Sequence, residues 1–212
     1  MSAEESRVSP LIRMWERVAR RIRVPLGFAA AALYVFELAR RAPLLPPVYW
    51  SLALVVPGLW LRGYASGYVK KNRELTQTGP YAYTRNPLYL GSILIALGFA
   101  VALGSWLVAG VLAAVFLLIY VPVIASEEQF LRRTFPEFEP YCRRVPRLIP
   151  RLTPARAPAA EGPAETEVTS NNFSFARYLR HREYNAVIGA ALLYLCLFLL
   201  NPAVGYFLSR NR

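Results

Sequence analysis

An uncharged run of 38 residues, from Leu88 to Ala125, limits what this chain can fold into more than any other feature. One crossing of a bilayer about 30 Å thick needs roughly 20 apolar residues, so the run is about twice that length. It predicts a hairpin of two membrane helices that turns between Gly98 and Ser105. Both ends of the run should then lie on the same side of the membrane.

Three further apolar segments extend the prediction to an all-α, polytopic membrane protein with about five transmembrane helices. They are residues 24–39, 47–61 and 186–208. The composition agrees, because 55% of the residues are hydrophobic and 18% are charged, against about 25% charged residues in soluble domains. The net charge of +12 comes from basic residues around the apolar segments, without a recognisable nucleic-acid motif, so no nucleic-acid partner is expected.

The distribution of basic residues predicts the orientation. With a cytoplasmic N-terminus, 21 of the 25 Lys and Arg residues fall on the cytoplasmic side, as the positive-inside rule requires. Residues 1–23 have the pattern of an amphipathic helix on the membrane surface, and residues 24–151 would form the membrane core. Residues 152–170 are rich in Pro, Ala, Glu and Thr, which predicts a flexible linker, and residues 171–212 would carry the last span. The Ala-, Arg- and Pro-rich composition favours a prokaryotic plasma membrane.

Polar residues bracket the uncharged run at both ends. The segment GPYAYTRNPLYLG, residues 79–91, precedes it, and Glu127 and Glu128 follow it. Asn86 and Pro87 form a helix start, since Asn is a favoured N-cap and Pro is tolerated at the first helical position. A hairpin would bring the two polar clusters together at the cytoplasmic surface, where carboxylates can accept hydrogen bonds. The structural alternative is that Asn86 only caps its helix and the glutamates only anchor theirs in the headgroups.

These elements resemble a known family. RNPLYLG, the Glu pair and the downstream stretch EEQFLRRTFPEFEPYCRRVPRLIP are similar to the membrane methyltransferase superfamily that includes isoprenylcysteine carboxyl methyltransferases and phosphatidylethanolamine N-methyltransferases. The resemblance covers about residues 72–151. It implies an S-adenosylmethionine site on the cytoplasmic side, without a metal, and a methyl group transferred to a lipophilic acceptor.

The resemblance also assigns roles to individual residues. Tyr141 would form a cytoplasmic flap over the cofactor together with Arg144, Val145 and Pro146. Arg85 and Arg144 are the candidate catalytic residues, because either could hold an anionic group. The predicted cofactor-binding residues are Leu75, Thr76, Tyr81, Asn86, Pro87, Leu88, Tyr89, Glu127, Glu128 and Tyr141.

Departures from the family pattern leave the methyl acceptor open. Val123 stands where eukaryotic isoprenylcysteine enzymes carry a substrate-holding Arg, and Asn86 replaces a common His. The acceptor could be an isoprenylcysteine-type carboxylate or a phospholipid amine. Two other functions remain possible: an NADPH-dependent sterol-type membrane reductase, and a non-catalytic membrane scaffold. Cys142 and Cys196 lie too far apart to suggest a disulfide framework, and His181 is expected at the membrane interface.

Overall fold

The computed structural model describes residues 10–40, 45–70, 74–155 and 172–199, and this part of the chain contains helices and no strand. A short 3-10 turn, Gly79–Ala82, and a π-helical turn, Phe116–Tyr120, lie between the α-helices. The helices are α1 (Pro10–Arg40), α2 (Leu45–Tyr68), α3 (Pro87–Leu103), α4 (Trp106–Val115), α5 (Val121–Thr134), α6 (Phe138–Arg144), α7 (Phe175–His181) and α8 (Tyr184–Leu199).

The predicted hairpin is present, and its turn lies within the predicted range. Helix α3 ends at Leu103. The next residue, Gly104, has a left-handed backbone (φ 61°) that is readily available to Gly, and its N–H bonds to the carbonyls of Ala100 and Val101. Ser105 then caps α4 by accepting a hydrogen bond from the Val108 N–H. The chain reverses over two residues, so the start of α3 and the end of α5 lie on the same side.

Helices α2 and α3 are in contact through their backbones. A Cβ atom on Gly91 would lie 2.7 Å from the Gly58 carbonyl oxygen and 2.6 Å from Cγ of Arg62. Close approach of two backbones requires glycine at the contact, because no side chain fits between them. This packing fixes α3, and with it the start of α3 at Pro87, against α2.

The larger apolar core lies toward the hairpin turn. Phe99, Leu103 and Val108 pack there with Tyr34 of α1 and Val55 of α2. The edge of the Tyr34 ring faces Phe99, with ring centroids 5.7 Å apart. Helix α8 joins this core through Ala190 and Leu197, so the last predicted span packs against the other helices.

Five transmembrane helices are not confirmed. Among the described residues, only the continuous helix from Trp106 to Thr134 is long and apolar enough to cross a membrane alone. Helices α7 and α8 would add a second span if counted together, although they are bent by 64°. Helix α3 is apolar but has only 17 residues.

The predicted domain boundaries remain predictions. Helix α1 runs through Pro25 without a break at residue 23, so the proposed surface helix and the first proposed span form one helix over residues 10–40. Residues 1–9, most of the predicted linker at 152–170, and the end of the last span beyond residue 199 lie outside the described residues.

Candidate functional site

A cavity of about 330 Å³ lies where the start of α3, the second half of α5, α6 and the loop after α2 meet. This volume is within the range of small-molecule sites, roughly 300–1,000 Å³. Every predicted site residue except Arg144 lines it. The lining residues are Val69, Lys70, Glu74, Leu75, Thr76, Tyr81, Arg85, Asn86, Pro87, Leu88, Tyr89, Glu127, Glu128, Phe130, Leu131, Phe135, Phe138 and Tyr141.

Asn86 stands at the N-cap position of α3, but its side chain makes no capping hydrogen bond. Its Nδ2 instead donates to Oε1 of Glu128 at 3.2 Å and to the carbonyl oxygen of Arg147 at 3.1 Å. The interpretation of Asn86 as a simple cap is therefore wrong. The two polar clusters at the ends of the hairpin do meet, as predicted.

Glu128 is the buried carboxylate of the pair, with 5% of its side chain exposed. Oε2 accepts hydrogen bonds from Nη2 and Nε of Arg147, at 2.6 and 3.0 Å. Oε1 accepts from Asn86 and lies 3.6 Å from Nε of Arg85. Its oxygens are therefore engaged by protein groups, and Glu128 holds α5, α3 and the segment after α6 together.

Glu127 is exposed, in contrast to its neighbour. The Tyr89 hydroxyl donates to its Oε1 at 2.9 Å. Consecutive residues of a helix point about 100° apart, so one glutamate faces the protein and the other faces the opening of the cavity. Of the two, Glu127 is the carboxylate placed to meet a ligand.

Arg85 contributes an unsatisfied donor to the cavity wall. Its Nε is buried, with 14% of the side chain exposed, and makes no hydrogen bond. Its backbone N–H is bonded to the carbonyl of Pro146 at 2.9 Å, which fixes the residue in place. Glu128 is its counter-ion at 3.6 Å, but a buried donor without a hydrogen bond is rare and costly, and a bound anion or carbonyl would satisfy it.

The base of the cavity is formed by two buried tyrosines. The Tyr141 hydroxyl donates to the backbone carbonyl of Tyr81 at 2.7 Å. Burial raises the pKa of both phenols above the usual value near 10. Tyr141 also packs with Phe138 and Val145, so α6 is anchored under the turn that precedes α3.

The segment after α6 is tied down, where the resemblance suggested a flap over the cofactor. The Thr84 hydroxyl contacts the carbonyls of Arg147 and Leu148, at 3.2 and 3.1 Å. The backbone N–H of Ala155 donates to the carbonyl of Ala82 at 2.9 Å.

Arg144 does not line the cavity. Its Nη2 donates to Oε1 of Gln77 at 3.0 Å, so it supports the loop after α2.

Sequence reasoning missed Arg147 and the aromatic part of the wall. Arg147 follows the RVP element directly, but nothing in the sequence pairs it with Glu128, which is 19 residues away. Phe130, Phe135 and Phe138 lie in the stretch between the Glu pair and RVP, and this repeated aromatic character was the available signal.

The described residues contain no group of three or more His, Cys, Asp or Glu side chains that could hold a metal ion.

The chain resembles two curated proteins over less than half of its length. The cobalt-zinc-cadmium resistance protein CzcN of Cupriavidus metallidurans is 45% identical over 96 residues, covering 45% of this chain and 43% of that protein. The nickel-cobalt-cadmium resistance protein NccN of Alcaligenes xylosoxydans xylosoxydans is 43% identical over 88 residues, covering 42% of this chain and 40% of that protein. This chain thus spans less than half the length of these relatives. No solved structure matches it.

The family comparison covers the segment that builds most of the cavity. Residues 48–137 match the phospholipid methyltransferase family, and this match includes α2, the hairpin and both glutamates. It confirms the resemblance predicted from the sequence motifs. The similarity to the phospholipid methyltransferase family is thus established for residues 48–137, which are 90 of the 212 residues of this chain.

Proposed function

We propose that this protein is an integral membrane methyltransferase that transfers a methyl group from S-adenosylmethionine to a lipophilic acceptor. The observation that carries the proposal is a cavity lined by Glu127 and Glu128 of α5, by the start of α3 and by Arg85. The family match over residues 48–137 supports the same reaction class. The proposal includes a cytoplasmic cavity, as the distribution of basic residues suggests, and a prokaryotic plasma membrane, as the Ala-, Arg- and Pro-rich composition suggests.

The chemistry of the wall suits S-adenosylmethionine, which carries a carboxylate, an ammonium group, a ribose and an adenine. Glu127 offers an exposed acceptor for an ammonium or hydroxyl group. The buried Nε of Arg85 offers a donor for a carboxylate. Leu75, Leu88 and Phe130 supply apolar contact for the adenosine portion. When bound, the cofactor supplies an electrophilic methyl group on a sulfonium.

The residues of the chain would act by alignment and by exclusion of water. Fixing two reactants in reactive geometry can lower a barrier by about 7–11 kcal/mol in favourable cases. The Tyr141–Tyr81 hydrogen bond and the hydrogen bonds of Thr84 to the segment after α6 connect the walls of the cavity and support this role. A carboxylate acceptor arrives ionised, whereas an amine acceptor must lose a proton, and Glu127 is an exposed carboxylate on the cavity wall that could accept it.

Equilibrium binding tests the proposal. Purified protein in detergent should bind S-adenosylmethionine and not NADPH, by isothermal titration calorimetry. Glu127→Gln should weaken this binding, whereas the matched control Glu139→Gln should not, because Glu139 pairs with Arg132 away from the cavity lining. Absence of S-adenosylmethionine binding by the wild type would refute the proposal, and binding of NADPH alone would favour the reductase.

Two results separate an enzyme from a scaffold and identify the acceptor. A scaffold should bind neither S-adenosylmethionine nor NADPH, and its Glu127→Gln variant should behave as the wild type does. For an enzyme, membrane lipids and lipophilic acids incubated with protein and isotopically labelled S-adenosylmethionine should yield one labelled class by mass spectrometry. A labelled amine lipid or a labelled carboxyl ester would decide between the two acceptor classes.

A further inference from the structure

The helix from Trp106 to Thr134 contains a carbonyl group that lacks its usual helical donor. In an α-helix, the carbonyl of Leu118 would accept a hydrogen bond from residue 122, but residue 122 is Pro, which has no N–H. The backbone widens at this point into the π-helical turn Phe116–Tyr120, where the Val121 N–H bonds to the carbonyl of Phe116. Pro122 therefore leaves the carbonyl of Leu118 without its i+4 donor, and a donor from another element can bond to it.

Helix α1 supplies that donor. Nε1 of Trp15 donates to the carbonyl oxygen of Leu118 at 3.0 Å. Ala19, one turn further along α1, is buried against Ile119 and Val123, on either side of Pro122. An unpaired carbonyl is costly in an apolar environment, so this contact holds α1 onto the π-helical turn.

The π-helical turn is connected to the cavity. The edge of the Tyr120 ring lies against Tyr89, with centroids 5.8 Å apart and an angle of 80° between the rings. Tyr89 lines the cavity and donates to Glu127. Both tyrosines also pack against the cluster that contains Ala19. A continuous set of contacts thus runs from Trp15 through the π-helical turn to Glu127.

We propose that Trp15 is a positioning residue of the candidate site: its hydrogen bond to Leu118 fixes the π-helical turn and, through Tyr120, the Tyr89–Glu127 contact. The proposal rests on the proposed function to the extent that the ligand at Glu127 is S-adenosylmethionine. Helix α1 lies outside residues 48–137, which match the family, so this chain supports its site with an element that the matched segment does not contain.

Four variants of the full chain test the proposal. Trp15→Phe removes the indole N–H but keeps an aromatic ring. Trp106→Phe is the matched control, because Trp106 is 91% exposed. Pro122→Ala restores the missing backbone N–H, so Leu118 regains a helical donor and no longer depends on Trp15. The fourth variant combines Trp15→Phe with Pro122→Ala.

The first measurement is hydrogen exchange over residues 116–127 in cofactor-free protein in lipid nanodiscs. Trp15→Phe should accelerate exchange about 3- to 10-fold, the effect of losing one net hydrogen bond, and Trp106→Phe should leave it unchanged. In the Pro122→Ala background, Trp15→Phe should change exchange by less than about twofold. An equal effect in both backgrounds would overturn the proposal, because the effect would not then run through the Leu118 carbonyl.

The second measurement is the affinity for S-adenosylmethionine, at a temperature where all variants are fully folded. Trp15→Phe should raise the Kd about 3- to 10-fold, and the Pro122→Ala background should suppress this increase. A lower Tm with unchanged affinity and exchange would show a purely structural role and overturn the proposal. If the wild type binds no S-adenosylmethionine, the proposed function fails, and the exchange measurement alone decides whether Trp15 positions the turn.

Discussion

Replacing Glu128 by Gln removes a buried negative charge and keeps the shape of the side chain. In the native protein this carboxylate accepts two hydrogen bonds from Arg147 and one from Asn86, and lies 3.6 Å from the guanidinium of Arg85. The variant leaves two arginines without their counter-ion. Glu127→Gln is the matched perturbation, because it makes the same chemical change one residue earlier on the same helix.

The exposures of the partner side chains set the magnitude. Breaking a buried ion pair from one side costs about 3–5 kcal/mol. Arg147 is 44% exposed and can regain water, whereas Arg85 is only 14% exposed and cannot do so easily. We therefore expect Glu128→Gln to lose about 3 kcal/mol of stability, the lower end of that range. For a chain of this size, each kcal/mol lowers Tm by about 2–4 °C, so Tm should fall by about 6–12 °C.

Glu127→Gln should have the opposite profile. Gln keeps a carbonyl oxygen that can accept from Tyr89, and an exposed substitution of this kind changes stability by less than about 0.5 kcal/mol. Its Tm should stay within about 2 °C of the wild type. Its affinity for S-adenosylmethionine should fall at least about tenfold, because a hydrogen bond to a charged acceptor is worth about 1.5–3 kcal/mol.

Thermal unfolding and calorimetric binding on the two purified variants check this division of roles. The reasoning requires that Glu128→Gln be destabilised and Glu127→Gln be impaired in binding but stable. Equal loss of Tm in both variants would refute it, because the two carboxylates would then share the structural role. A Glu128→Gln protein as stable as the wild type would mean that the buried network contributes no net stability.

Three further predictions concern helix packing, the C-terminal helices and pH. Gly91→Ala should lower Tm by the equivalent of about 1–3 kcal/mol, whereas Gly27→Ala, which meets no atom within 4 Å, should leave Tm unchanged or raise it slightly. Glu183→Gln removes the carboxylate that accepts from Nε and Nη2 of Arg62, so hydrogen exchange in α7 and α8 should accelerate. Burial raises the pKa of Tyr141, so its phenol should stay protonated above pH 10 in the folded protein. The contribution of the neutral phenol to stability should be lost as pH rises from about 10 toward the raised pKa. Tyrosinate absorbance during an alkaline titration measures this ionisation.

The hairpin and the contact between its two polar ends were predictable because they depend only on the length of the uncharged run. A 38-residue uncharged run leaves no other compact arrangement in a bilayer, and the Gly104–Ser105 turn carries ordinary helix-ending and helix-starting residues. Membrane spans elsewhere were less predictable. Helix α1 continues through Pro25, because one missing N–H does not end a helix that neighbouring helices support.

The different roles of Glu127 and Glu128 could not be predicted from the sequence. Both are charged, adjacent and near a helix end, so no sequence feature distinguishes them. Their difference arises from the direction in which α5 presents them, and that direction depends on packing against α3 and on the position of Arg147. The same holds for Arg144 and Arg147, which lie three residues apart, although only Arg147 bonds to Glu128.

Pro122 explains why the support of the site extends beyond the recognisable family segment. A proline inside an apolar helix removes the usual donor of one carbonyl, and an element near in space can supply another donor. In this protein the element is α1, which is distant in sequence and lies outside the residues that match the family, so its donor, Trp15, was not predicted. The signal that could have found it is the pairing of a proline in the middle of an apolar run with a tryptophan on a helix expected at the membrane surface. The carbonyl that loses its usual donor to Pro122 thus forms a contact between α1 and the π-helical turn, which supports the cavity.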